Sequence, residues 1–453
     1  MIIVESNSNF LSHKKYIIEE VLNSITKSTF QLKINESAHD YIIHSQIDDN
    51  KCQIRDIVFK SPLHQFGKLE LIPQKIVKAN IDKAFGKLSE LNLKIFKPTE
   101  NLISFNKEIF EIDVFGTMFI LLTQYEDWVS TEKDIHGRLK ETGSTSFNLG
   151  NTEIPVINYY LKILFKYLNR RLGTNIELIK PNKFILSLDI DHPSTLNFRF
   201  TKFIKTLLKD IIIYKDFSAF FLRILSYTSR SFKFDPYNPT AYITSLKSSY
   251  KIDVNFFFMT TESEFSKYDE HYSWNAKFMH DYLKFCKIKG FPVGYHPSYN
   301  TGENLKLFES EIQEFKNQLE EAEVNFSGWI RHHYLRLNTN YSWSKMSENN
   351  YNYDSSIGFN SNIGFKSGLC LPYPVFDLNT CSSLSLYEYP ITIMDRSLIN
   401  HKIDSEKIYN IINEVKENEG VMVFLAHNCE LGYIKNQKIL DSVILQYYNE
   451  ESF

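Results

Sequence analysis

Ser187-Leu-Asp189-Ile-Asp191-His192 sets two carboxylates two residues apart at the end of an apolar run. One can ligate a divalent cation while the other stays free as a base. Two oxygen or nitrogen ligands from elsewhere would complete a site with an open position for water. Water bound there has its pKa lowered to about 7 and becomes a nucleophile. The same Asp-x-Asp before a proline also suits a simple cap on a strand-to-helix turn. Gly294-Tyr-His296-Pro-Ser298-Tyr-Asn300 offers an imidazole that Ser298 could orient, or a turn built on Pro297 and Asn300. Arg331-His-His333-Tyr-Leu-Arg336 carries two adjacent imidazoles that point in different directions, so that one can face a site while the other packs. Phe424-Leu-Ala-His427-Asn428 ends a late apolar run with a histidine, whose ordinary pKa near 6.5 suits a general acid or a hydrogen-bonded core position. Asp, Asp, His, His and His converging at strand ends are hard to obtain from packing demands alone.

The elements that would position these groups are short apolar runs: Phe184 to Leu188, Val254 to Met259, Phe291 to Tyr295, Phe326 to Ile330, Ile391 to Met394 and Val421 to Leu425. Helical stretches such as Ala276 to Lys287 and Lys306 to Ala322 lie between several of them. Short buried strands alternating with helices imply βα units and a parallel sheet. About 270 residues of this pattern fit one α/β barrel, whose strand C-termini share the face that carries chemistry. Asp395 and His427 close two of the later runs. Residues 1–178 read as a separate mixed α/β domain of unknown role, and residues 179–453 as the barrel. In the first domain, a helical run over Lys14 to Ile25 precedes strand-like pieces at Phe30 to Ile34, Asp40 to Ser45 and Cys52 to Phe59. Helices are expected over Val114 to Tyr125 and Pro155 to Leu172, with a polar loop over Ser130 to Thr152 between them.

This constellation resembles the polysaccharide deacetylase family with the NodB-like fold, and more narrowly a bacterial subgroup with an extra N-terminal domain of unknown function. Leu188-Asp-Ile-Asp191 matches the family's first motif, and His296 to Asn300 its second, His-(Ser/Thr)-x-x-His. Arg331 to Arg336, Tyr353 to Phe359, Gly364 to Tyr373, Met394-Asp395 and Leu425 to Asn428 match further subgroup elements. Phe115 to Trp128, Asp134 to Arg138 and Pro155 to Asn158 resemble the extra domain. The resemblance implies a distorted (β/α) barrel of about seven strands behind a mixed α/β domain.

It also implies metal-dependent removal of an acetyl group from a sugar in bacterial surface-polysaccharide biosynthesis. In that implied scheme Asp189 is the general base, and Asp191, His296 and His333 hold a divalent metal: zinc, or alternatively manganese, cobalt or nickel. His427 protonates the leaving group, the Tyr373 backbone N–H helps hold the oxyanion, and Lys366 and Asp395 tune base and acid. Arg331 and Ser298 complete the surroundings. Two positions depart from the family pattern. Asn300 stands where a second histidine ligand is usual, so His333 must replace it if a metal is held. Lys366 stands where relatives have arginine, and lysine cannot reproduce a planar bidentate fork. Two other functions fit parts of the pattern: a catalytically degenerate carbohydrate-binding protein, and a glycosyltransferase using Asp-x-Asp for a metal–nucleotide. Walker, G-x-G-x-x-G and Gly-x-Ser-x-Gly patterns are absent.

Composition sets the frame. The chain has 453 residues with 43% hydrophobic and 23% charged content, an ordinary globular balance. Lys+Arg 51 against Asp+Glu 54 leaves a net charge of −3, without the basic excess of a nucleic-acid binder. The 5 cysteines are scattered and form no C-x-x-C, which favours free thiols in a reducing cytosol. The first residues lack a signal-peptide pattern, and no apolar run reaches the roughly 20 residues of a spanning helix. A cytoplasmic protein is expected, acting on an acetylated sugar or lipid-linked glycan. Arg199 to Phe234 departs from the overall balance, with eight Lys/Arg against two Asp, 8 − 2 = +6. Set among apolar residues, this segment suggests either the solvated face of a barrel helix or contact with an anionic inner leaflet.

Overall fold

In the computed structural model, which describes residues 1–46, 50–100, 102–150, 152–260, 266–270 and 272–449, the chain divides into two units. The first contains Met1–Pro181 together with Asn338–Ser347 and Gly364–Pro390. Its main sheet has five strands in the order 30–34, 2–6, 41–45, 51–54, 109–110. The expected helix at its start runs from Leu11 to Ile25, with a wider turn over Tyr16–Val21. Val114–Leu122 is buried on every side and Val156–Leu172 on most of its length, so these apolar helices form the centre of the unit. The helix expected to reach Tyr125 stops at Leu122 because Gln124 takes a left-handed φ of 52°, and a second helix starts at Tyr125.

The two later segments belong here for specific reasons. The Ile157 amide donates to the Gly368 carbonyl (2.8 Å), and the Phe365 amide to the Thr152 carbonyl (2.8 Å). The Tyr16 hydroxyl donates to the Pro374 carbonyl (2.8 Å). Leu369, Leu371, Tyr373, Phe376 and Leu378 join the same apolar core. Sequence alone gave these residues to the barrel, because nothing in their composition marks a return to the first unit.

Among the described residues the second unit carries seven parallel strands: β1 (Lys183–Ile190), β2 (Ile252–Phe258), β3 (Val293–Tyr295), β4 (Trp329–Ile330), β5 (Tyr353–Asp354), β6 (Ile393–Met394) and β7 (Val421–His427). Their order is β5-β4-β3-β2-β1-β7-β6, and every neighbouring pair is parallel. All of β1 beyond Lys183 and all of β7 are buried, as continuous apolar runs in a parallel sheet must be. Helices Lys277–Lys289, Leu305–Glu321, Ser405–Glu417 and Ile434–Tyr448 separate or follow the strands. The expected α/β class is therefore observed. The distorted barrel that the resemblance implies is not shown as a closed one: the strands of this unit follow one another in a linear order.

Register brings the chemistry to one edge. Asp189 lies opposite His427 on one side and Phe257 on the other. Tyr295 lies opposite Ile330, which places His296 beside Arg331 and the residues after it. Gly294 permits this approach: a Cβ there would lie 2.8 Å from the Phe257 ring. Among the described residues no helix is long and apolar enough to cross a membrane, and the five cysteines carry no disulfide.

Candidate metal centre

Asp191 follows β1, His296 follows β3 and His333 follows β4, and all three side chains are buried. One ligand atom from each lies within 4.8 Å of the others. His296 Nε2 stands 3.4 Å and His333 Nε2 3.6 Å from Asp191 Oδ1. The imidazole tautomers follow from their outer partners. His296 Nδ1 lies 2.5 Å from the Arg331 carbonyl, which can only accept, so Nδ1 carries a hydrogen and Nε2 is the nitrogen turned toward Asp191. His333 Nδ1 likewise donates to Asp269 Oδ1 (2.9 Å). His427 Nδ1 donates to Asp395 Oδ1 (2.7 Å), and its Nε2 lies 3.9 Å from Asp191 Oδ2. Three imidazoles are thus anchored at Nδ1 and aimed by Nε2 at a single carboxylate, the arrangement that outer-sphere acceptors impose on metal-ligating histidines.

The residues fit a divalent cation. Asp191 Oδ1 and His296 Nε2 are buried with no hydrogen-bond partner, a state that costs about 1–3 kcal/mol per group unless something is bound. Electrostatics agree. Burial alone would lower the His333 imidazole, but Asp191 and Asp269 raise it to about 9. Burial would raise the Asp191 carboxyl, yet His333 and Arg396 hold it well below the usual carboxylate range. Asp191 and Asp269 thus stabilise positive charge at His333, which a bound cation would supply in place of the imidazole's second proton. Its donors, one carboxylate oxygen and two imidazole nitrogens, suit zinc and its neighbours better than calcium or magnesium.

Asp189 stands beside this group. Its Oδ2 is 3.7 Å from His296 Nε2, and its Oδ1 is 3.4 Å from Arg331 Nη1. Arg331 is itself fixed by Ser187 Oγ (2.8 Å), the Ser355 carbonyl (2.7 Å) and Ser355 Oγ (2.7 Å). Asp395 grips His427 twice, accepting also from its backbone amide at Oδ2 (2.7 Å). Burial and Arg396 would lower the His427 imidazole, but Asp395 raises it, which favours the proton-carrying form of an acid.

The structure distinguishes the two adjacent histidines. His332 packs against Phe308 (5.2 Å between rings), and burial lowers it to about 3. His333 faces Asp191. Ser298 does not orient His296, as the sequence had suggested: Glu311 takes the Ser298 hydroxyl and backbone amide, together with the Tyr295 hydroxyl. Asn300 lies in the short turn Tyr299–Gly302, its carbonyl accepting from the Glu303 and Asn304 amides. Lys366 and Tyr373 belong to the first unit. There burial lowers the Lys366 amine while Asp127 and Glu141 oppose that shift, and Tyr373 opens a strand opposite Glu388. Two residues of the centre were not singled out from sequence. Arg396 places Nη2 3.0 Å from Asp191 Oδ2, and Asp269 orients His333. Arg396 follows the flagged Met394-Asp395 directly, which was the available signal; Asp269 lies in a polar loop that offers none.

The model of a family of unknown function, DUF7033, matches residues 2–173. No curated protein matches the chain. Among solved structures, the chain is similar to the crystal structure of a protein from Mycobacterium smegmatis provisionally assigned as a polysaccharide deacetylase. The two are 14% identical with a TM-score of 0.36, over 59% of this chain and 84% of that one.

Proposed function

We propose that the second unit is a metal-dependent hydrolase that removes an acetyl group from a carbohydrate. The supporting observation is the convergence of His296, His333 and Asp191, with outer acceptors fixing both imidazoles and a buried carboxylate oxygen left unpartnered. The acetyl group and the sugar come from the motif resemblance. A divalent cation held by Asp191, His296 and His333 would supply Lewis acidity, polarising an acyl carbonyl and acidifying water. Asp189, oriented by Arg331, takes the proton from the attacking water. His427, held as a proton carrier by Asp395, gives a proton to the departing amine or alkoxide. A buried edge of the sheet excludes bulk water and strengthens both charge interactions.

Acetate release from N-acetylated and O-acetylated oligosaccharides, measured with zinc, manganese, cobalt or nickel, tests the reading. Wild-type protein should release acetate. Asp189→Asn should lose turnover by at least about a hundredfold while binding the same metal. Turnover retained in Asp189→Asn would remove Asp189 from the role of base. A second reading is favoured by one contact: Arg396 already neutralises Asp191 at 3.0 Å, as in a degenerate site that binds saccharide without metal. Saccharide binding unchanged by chelator, with no acetate released, would support it.

A further inference from the structure

The helical hairpin that follows β1, α1 (Phe200–Ile212) and α2 (Phe217–Ser229), turns a row of large apolar side chains outward and buries an ion pair. Its inner face is mixed: Phe203 stacks on Tyr227 in a small apolar cluster, and an ion pair is buried beside it. Asp210 and Arg223 are fully buried and pair through Nε (2.8 Å) and Nη2 (3.1 Å), and the Tyr433 hydroxyl donates to Asp210 (3.0 Å). Its outer face is apolar: Phe200, Ile204, Leu208 and Ile212 recur every fourth residue along α1, and Ile213, Phe217, Phe221 and Leu225 continue the row, with Leu222 beside it. These nine are among the twenty large apolar side chains exposed in the described residues, so the patch is concentrated here and not scattered. Phe200, Ile212, Ile213, Phe217 and Phe221 are each 60–67% exposed.

The charge around the stripe has one sign. Arg199, Lys205, Lys209, Lys215, Arg230 and Lys233 are exposed. At 100° per residue, Lys205 and Lys209 fall along the rim of the α1 row. The two acids of the segment are occupied: Asp210 by Arg223, and Asp216 as the cap of α2 and acceptor of the Ile434 amide (3.0 Å). Lys202 is drawn back to Glu270, which also contacts His192 (3.2 Å).

We infer that the α1–α2 hairpin docks on the surface of a bilayer containing anionic lipid, its apolar row in the acyl boundary and its lysines at the headgroups. A second copy of the chain would bring the same basic rim against the same stripe, so like charges would face each other. An anionic headgroup layer complements both features at once. The hairpin lies on the membrane and does not cross it, since 13 residues of helix span only about 20 Å. The inference does not depend on the chemistry at Asp191.

Co-sedimentation of the full chain with phosphatidylglycerol/phosphatidylcholine vesicles tests it, against pure phosphatidylcholine and at about 50 mM and about 0.5 M salt. Binding should be at least about tenfold stronger on the anionic vesicles at low salt and should fall at high salt. The exposed-site variant Ile213→Ser/Phe217→Ser/Phe221→Ser, checked for unchanged circular dichroism and Tm, should lose it. So should Lys205→Glu/Lys209→Glu/Lys215→Glu. Failure to bind anionic vesicles at low salt, or equal binding to neutral ones, would overturn the inference. A lipid-free dimer that the serine variant dissociates would also overturn it, by assigning the face to a second copy.

Discussion

Asp191 is the charge around which three imidazoles and a guanidinium are arranged, and the sequence disclosed it through spacing. Asp-x-Asp at the end of an apolar run, with histidines ending other runs, was enough to nominate Asp189, Asp191, His296 and His427. It was not enough to choose between His332 and His333, because adjacent residues after a strand differ only in which way the backbone turns them. Nor could it find Asp269 or Arg396, whose roles exist only through contacts from distant segments. A residue outside the centre makes a separate prediction. His13 sits among Phe10, Phe59, Phe66, Phe119 and Phe376, with neither ring nitrogen hydrogen-bonded, and burial lowers it to about 4. Its folded pKa lies below the unfolded value near 6.5. Its neutral form therefore contributes fully above pH 6.5, and stability is lost as pH falls from there toward 4. Between pH 7.5 and 5 the His13→Leu variant should lose about 2 kcal/mol less than wild type in urea unfolding. Equal losses would show that His13 titrates normally.

At the scale of elements, strands with apolar runs were legible and strands without them were not. β1, β2 and β7 fall within a few residues of expectation because buried parallel strands require continuous apolar sequence. β5 was missed because its two residues, Tyr353 and Asp354, carry no run at all. The basic segment after β1 was recognised by composition, but its buried ion pair was not, since periodicity alone does not say which residues of a helix turn inward. Its anchor is the Asp210–Arg223 pair. Breaking a buried pair leaves an uncompensated charge, so Arg223→Ala should destabilise by about 3–5 kcal/mol. The double variant Asp210→Leu/Arg223→Met should recover much of that. The loss should appear first as faster amide exchange in α1 and α2. If Arg223→Ala and wild type have the same urea midpoint, the pair is not what holds the hairpin.

For the whole molecule, the sequence changes near residue 180 from mixed pieces to repeated strand–helix units, and the opening segment of the first unit ends at Pro181. The return of Asn338–Ser347 and Gly364–Pro390 to the first unit was invisible, because it depends on backbone pairings such as Ile157 with Gly368 rather than on composition. Both the proposed chemistry and the choice of His333 over Asn300 require that the second unit hold a cation. Calorimetric titration of zinc into chelator-stripped full-length protein measures this directly. The account predicts a single saturable ion per chain in wild type, lost in Asp191→Ala, His296→Ala and His333→Ala and kept in Asn300→Ala and Asp189→Asn. No saturable binding, or binding indifferent to all three ligand substitutions, would contradict it.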